Sequence, residues 1–195
     1  MKEKVTRFFD RCAPFWDEHT VKDERIINTI LDNAGVTVGK RVLDVATGTG
    51  VLIEDYLNRG VASVTAVDIS PEMIRIAKSK FNDNRVEFIS ADVFDIIAPE
   101  SYDCIVVYNA FPHFFDPVSL LRHLTGMLAP GGTLTVAHGM SREALTKHHS
   151  GSAREISIEL LHENELAGIL AEKLRVTVKI SNSEMYQVAA VKPWK

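Results

Sequence analysis

From Arg41 onward the chain alternates short, nearly all-apolar runs rich in β-branched residues with longer stretches whose apolar residues recur every three or four positions. The first pattern belongs to strands buried on both faces of a parallel sheet, the second to amphipathic helices packed on it. Seven strands are predicted: Arg41–Ala46, Ser63–Asp68, Arg85–Ser90, Asp103–Asn109, Gly132–His138, Leu174–Ile180 and Met185–Lys192. Only Ser181–Glu184 separate the last two. A link that short cannot carry a parallel crossover, so this pair is expected to be an antiparallel hairpin.

The helical stretches carry their own boundary signals. Ser70 and Pro71 supply an N-cap and a first-turn proline for a helix through Lys80. Asp116 and Pro117 repeat the device before Val118–Leu128, which ends ahead of Pro130-Gly131-Gly132. Ile26, Ile27, Ile30, Leu31 and Ala34 form an apolar stripe closed by Gly35. This rhythm predicts an α/β, Rossmann-like fold: a seven-stranded, mostly parallel sheet with a C-terminal antiparallel hairpin and helices on both faces. Residues 1–37 read as an N-terminal helical lid and 38–195 as the core of the same domain.

A length of 195 residues suits one domain. A net charge of -4 leaves no electrostatic footprint for a polyanion, so nucleic acid is not an expected partner. Cys12 and Cys104 stand far apart in no metal-like spacing, which fits free thiols in a reducing compartment. The opening MKEKVTRFFDRC is charged throughout, unlike a secretory signal, and no run approaches the ~18 apolar residues of a membrane span. A cytoplasmic monomer or homodimer without a membrane partner is expected.

The most informative stretch is Val42-Leu43-Asp44-Val45-Ala46-Thr47-Gly48-Thr49-Gly50-Val51. A strand runs into a glycine turn and then a helix, an arrangement that brings backbone N–H groups close to a ligand. Asp68 ends the next strand, where a carboxylate can accept both ribose hydroxyls of an adenosine. A nicotinamide dinucleotide is the competing ligand. It calls for a third glycine where Ile53 stands, and Asp44 would repel its pyrophosphate. Beside the ammonium of a methionine moiety the same carboxylate is favourable.

With these motifs the chain resembles the class I S-adenosylmethionine-dependent methyltransferases. DVATGTG and the early FFDRCAPFWD are similar to the ubiquinone/menaquinone-biosynthesis branch and its small-molecule relatives. The later Ala91-Asp92-Val93, Tyr102-Asp103 through Asn109, and Ala129-Pro130-Gly131-Gly132-Thr133-Leu134 follow in the family's order. The resemblance implies S-adenosylmethionine as cofactor, held by Asp44, Ala46, Thr47, Gly48, Gly50, Asp68, Asp92, Val93 and Asn109. Ile69 and Met73 would pack on the adenine, and Asp92 would reach its amine. Ala46 stands where many members have glycine, and Trp16 replaces the tyrosine usual in the early motif. Bland readings of the acids are a capping role for Asp68 and an ion pair of Asp44 with Lys40 or Arg41.

Aromatic residues gather in the N-terminal segment, as Phe8, Phe9, Phe15 and Trp16, and after the fourth strand, as Phe111, Phe114 and Phe115. Such walls suit a sulfonium, an apolar acceptor or plain core packing. Phe9, Trp16, Phe111 and His149 are the expected contacts to a small apolar or aromatic methyl acceptor. Methyl transfer from a sulfonium needs no metal, but most acceptors must lose a proton, and histidine is the usual base near neutral pH. His138, His148 and His113 are the candidates, with His138 expected at the cavity rim. A divalent metal held by His138 with His148 or His149, or plain surface and packing histidines, are the alternatives. Asn109-Ala110-Phe111-Pro112-His113 lacks the paired prolines of an amide methyltransferase, and two scattered cysteines do not suit arsenic chemistry. A binding protein that holds S-adenosylmethionine without transferring its methyl is the competing functional class.

Overall fold

The computed structural model describes residues 1–148 and 154–194. Three helices open the chain: α1 (Lys2–Cys12), α2 (Trp16–His19) and α3 (Glu24–Asn33). The alternating part follows as β1 (Arg41–Val45), α4 (Ile53–Asn58), β2 (Ser63–Asp68), α5 (Pro71–Lys80), β3 (Val86–Ser90) and β4 (Tyr102–Tyr108). It continues with α6 (Pro117–Met127), β5 (Leu128–His138), α7 (Arg142–His148), α8 (Glu163–Ala171), β6 (Arg175–Ser181) and β7 (Tyr186–Val191). The cap residues do what their chemistry suggests: Ser70 accepts from Met73 N at 3.2 Å and Asp116 from Ser119 N at 3.0 Å.

All seven strands form one sheet in the order β3-β2-β1-β4-β5-β7-β6. The first five pair in parallel, and β7 lies antiparallel between β5 and β6. The chain moves outward from β1 through β2 to β3, then returns to the opposite side of β1 with β4. This reversal opens a crevice beyond the carboxyl ends of β1 and β4, where open α/β sheets bind ligands.

Alternation along the strands sorts side chains onto two apolar layers. Leu43, Val45, Ile105, Val107, Leu134 and Val136 face α6 and α8, where Leu120, Leu124, Leu166 and Leu170 pack. Val42, Val64, Ala66, Cys104 and Val106 face the other way, against Ile27, Ile30 and Leu31 of α3 and Ile53 and Tyr56 of α4. The apolar stripe of α3 thus covers the sheet itself. By contrast, Val5 is the one buried residue of α1.

β5 starts at Leu128, four residues before the predicted Gly132. Leu128 pairs with Tyr102 and Thr133 with Cys104, so Ala129–Gly132 is a bulge within the strand. Gly131 sits at φ +75 and donates its N–H to the Lys192 carbonyl, which supplies the hydrogen bond that β4 does not.

Candidate active site

The end of β1 is held in its turn by backbone geometry and two carboxylates. Gly48 and Gly50 have φ of +58 and +85, and Ala46 adopts +56, a left-handed conformation that costs a residue with a Cβ about 1 kcal/mol or more. A Cβ on Gly50 would press on the Phe81 ring at 2.9 Å, so this glycine serves packing under the turn. A Cβ on Gly48 would point toward Trp16 Nε1 at 3.6 Å, in the space above the turn.

Asp68 accepts the backbone N–H of Gly48 and of Ser70, both at 2.8 Å. It therefore fastens the glycine turn to the tip of β2 while one edge still faces the cavity. Burial pushes its pKa up to about 6, against the lowering effect of those backbone donors. Asp44 shares this face of the sheet but lies deeper, beneath α4. It accepts from Thr47 Oγ1 at 2.5 Å and from Tyr56 Oη at 3.0 Å. Burial pushes it up to about 7, the two hydroxyl donors oppose that, and Asp68 raises it further. Neither Lys40 nor Arg41 pairs with it: Arg41 is bound to Asp103 at 3.0 Å.

A cavity of about 950 Å3 opens above the turn, between the N-terminal helices and the carboxyl ends of the strands. Ala46, Thr47, Gly48, Asp68, Ile69, Met73, Asp92, Val93 and Asn109 line it, as do Phe9, Trp16 and His113. Asp92 caps Phe94 N at 3.1 Å and pairs with Lys2 of α1 at 2.9 Å. Asn109, at φ +53, accepts the Gly139 N–H at 2.9 Å and so joins the ends of β4 and β5.

The side of the cavity away from the glycine turn is an aromatic arch. Phe9 meets Phe8, Trp16 and His113 edge-on, with ring centres 5.3, 5.7 and 4.9 Å apart. Phe114, Phe115, Met140 and Leu145 continue the apolar wall. His113 Nδ1 lies 3.1 Å from the Ile156 carbonyl and 3.1 Å from Ser157 Oγ. A carbonyl only accepts, so Nδ1 carries the proton in the neutral ring and Nε2 is the basic nitrogen.

Four expected site residues stand elsewhere than the cavity wall. Asp44 and Gly50 lie beneath the turn, as described. Phe111 is fully buried in the layer under α6, because the turn at Phe111–His113 sends its first residue inward. His138 is also fully buried, its ring 6.1 Å from that of Tyr186. Strand alternation explains the correction: His138 follows Leu134 and Val136 by steps of two and shares their inward face. Its rim placement does not occur. His148 ends α7 with its side chain outside the described residues, and His149 lies outside them altogether. Among the described residues no group of three His, Cys, Asp or Glu is arranged to hold a metal ion.

Sequence reasoning left several residues of the wall unassigned, His19 and Gly139 among them. His19 lines the cavity from α2, its Nδ1 2.9 Å from the Phe15 carbonyl. Gly139 leaves room for Tyr108, whose hydroxyl a Cβ there would strike. A lone histidine and a lone glycine carry no pattern, so only the tertiary contact exposes them.

Residues 42–132 match a family model described as a methyltransferase domain. The chain is 32% identical over 136 residues to the malonyl-[acyl-carrier protein] O-methyltransferase of Acetivibrio thermocellus, covering 68% of this chain and 48% of that protein. It is 37% identical over 137 residues to the ubiquinone biosynthesis O-methyltransferase of Xanthomonas campestris pv. campestris, covering 67% and 55%. The matches thus span about half the length of these relatives. Among solved structures, an S-adenosylmethionine-dependent methyltransferase from Aquifex aeolicus superposes with a TM-score of 0.69 at 24% identity, covering 85% of this chain and 88% of that one. That likeness establishes the fold.

Proposed function

From the premise that this chain is, in family and fold, a class I S-adenosylmethionine-dependent methyltransferase, we propose that it transfers the methyl group to a small, apolar or aromatic acceptor. The observation that carries the reading is that one cavity of about 950 Å3 holds both the cofactor-type loops and the aromatic arch. Ligand sites run to roughly 300–1,000 Å3, so this one lies at the size expected for two ligands side by side.

The residues present fit the cofactor. Asp68 offers carboxylate oxygens at the tip of β2, while Ile69, Met73 and Val93 form an apolar slot. Gly48 leaves the turn open to close approach. When bound, S-adenosylmethionine supplies a methyl group on a cationic sulfur. Phe9, Trp16 and Phe114 then exclude water and orient the acceptor, a contribution worth ~7–11 kcal/mol when alignment is good.

His113 takes the acceptor's proton at Nε2 in this reading, because among the described histidines it meets both the aromatic arch and the acceptor side of the wall. Its Nδ1 is occupied by the Ile156 carbonyl, which fixes the tautomer. His138 is assigned to packing against Tyr186. A homocysteine-release screen against quinols, phenols, thiols and amines tests the function. Turnover of a phenol or quinol supports it, and no release from any class, with the cofactor bound, would favour a binding protein instead. For the base, His113→Gln is expected to slow turnover by roughly 10²–10⁴ and leave S-adenosylmethionine affinity unchanged. Equal rates for wild type and variant across pH 6 to 9 would remove His113 from that role.

The chain is proposed to act in the cytoplasm as a monomer or homodimer, which sedimentation would decide. Among its described residues no helix is long and apolar enough to cross a membrane.

A further inference from the structure

The buried pair of Asp44 and Tyr56 is not part of the cavity wall, yet it sits directly under it. Tyr56 is fully buried on α4, in an apolar layer with Leu52 and Ile53, and its hydroxyl is 3.0 Å from Asp44 Oδ1. Thr47 approaches the other oxygen at 2.5 Å and itself lines the cavity. Asp44 thus has a hydroxyl donor on each of its two oxygens, a set that favours its carboxylate form. An apolar residue at 56 would fill the same layer without a buried hydroxyl to satisfy.

We propose that Tyr56 is a positioning residue of the cofactor site: with Thr47 it holds Asp44 as a carboxylate beneath the glycine turn, and that fixed negative charge favours the cationic cofactor over its uncharged product. The inference rests on the reading that S-adenosylmethionine is the ligand. S-adenosylmethionine carries a sulfonium, an ammonium and a carboxylate, a net charge of plus one; S-adenosylhomocysteine has lost the sulfonium charge. A carboxylate in a low-dielectric layer discriminates between them more strongly than the same group in water. Thr47 joins the two regions, because its hydroxyl binds Asp44 and its backbone N–H binds the Val67 carbonyl at 3.0 Å.

The charged and titratable groups around Asp44 are few. Asp68 reaches it from β2 and Tyr56 from α4, while Cys104 on β4 and Asp55 on α4 act on Tyr56. Burial holds Asp44 at about 7, so its charge state changes across the neutral range. Removing the Tyr56 donor raises that pKa further and leaves fewer carboxylates at pH 7.

The test is calorimetric binding of S-adenosylmethionine and S-adenosylhomocysteine to wild type and Tyr56→Phe between pH 6 and 9. Wild-type affinity for S-adenosylmethionine should rise with pH through about 7. In Tyr56→Phe the rise should move to higher pH, with roughly five- to tenfold weaker binding at pH 7 and recovery toward pH 9. S-adenosylhomocysteine should lose less at every pH. Asp44→Asn keeps the shape and removes the charge, so it should hold S-adenosylmethionine at the weak limit over pH 7 to 9, and it answers the question if Tyr56→Phe folds poorly. A Tyr56→Phe curve parallel to wild type, or equal losses for both ligands, would overturn the proposal while wild-type binding still upheld the cofactor reading. A wild type that binds neither ligand would overturn both.

Discussion

At the residue scale the informative positions are carboxylates whose surroundings, not whose identities, set their behaviour. Asp68 grips Gly48 N and Ser70 N and also faces the cavity, so the capping reading and the ligand reading describe the same side chain. Asp68→Ala removes charge-assisted bonds worth about 1.5–3 kcal/mol each. Calorimetry should show S-adenosylmethionine binding weakened at least tenfold with the circular dichroism spectrum retained; unchanged affinity would mean that Asp68 only braces the turn. The two buried acids also make ligand-free stability depend on pH. Their pKa values in the fold, about 7 for Asp44 and about 6 for Asp68, lie above the ordinary 3.8. Between ~4 and ~7 the folded protein therefore keeps protons that the unfolded chain has released. Stability contributed by these groups is full at the acid end and declines as pH rises to about 7. Scanning calorimetry of the ligand-free protein should show a falling transition temperature over that window, and a shallower fall in Asp44→Asn.

At the element scale, α1 differs from every helix that packs on the sheet. Apart from buried Val5 and the edge-on contact of Phe9 with His113, its ties to the core are polar: Lys2 with Asp92 at 2.9 Å, Lys4 with Glu155 at 2.6 Å, and Asp10 with Ser70 Oγ at 2.6 Å. Beyond it, Asp17 binds Thr49 at 2.5 Å and Lys80 at 2.8 Å. Three of these partners, Asp92, Ser70 and Thr49, belong to the loops after β3, β2 and β1. A helix tied by ion pairs, one hydrogen bond, one ring contact and a single buried valine opens at a lower free energy than one tied by a whole buried face. Hydrogen exchange should therefore be faster in α1 than in α3, and faster still in α1 as salt rises. Asp10→Ala should extend that difference with little change in the global transition. Equal protection of α1 and α3 would show that the first helix is part of the cooperative core.

At the scale of the whole molecule, the sheet order and the cavity are one fact. Reversing the winding direction at β1 leaves the ends of β1 and β4 uncovered, and residues 1–23 roof the gap. A ligand that spans the turn, the β2 tip and the roof joins elements that otherwise meet through polar contacts and a few apolar ones. Binding should raise the transition temperature: about 2.7 kcal/mol is added at a ligand concentration of 100 times Kd. For a chain of this length that corresponds to roughly 5–10 °C. Differential scanning fluorimetry with S-adenosylmethionine, S-adenosylhomocysteine and a nicotinamide dinucleotide checks it. A shift with the dinucleotide alone would contradict the cofactor assignment.

The sequence by itself determined the fold class, the strand set and the place of the glycine turn and the acid at the next strand tip. Buried parallel strands are apolar on both faces, helix starts carry Ser-Pro and Asp-Pro, and a glycine turn followed by an acid at the next strand tip are local signals. Those signals survive in one dimension because each depends on neighbours a few residues away. Depth does not. His138 and His113 are both candidate bases in the sequence, with His138 expected at the rim, yet strand alternation carries the first into the core beside Tyr186 and a single turn leaves the second on the cavity wall. Asp44 and Asp68 end or precede the ends of adjacent strands, but only packing against α4 puts Tyr56 on one and leaves the other facing the cavity. Which side chains meet water, ligand or one another is decided by contacts between segments far apart in the chain, and only the folded structure brings those segments together.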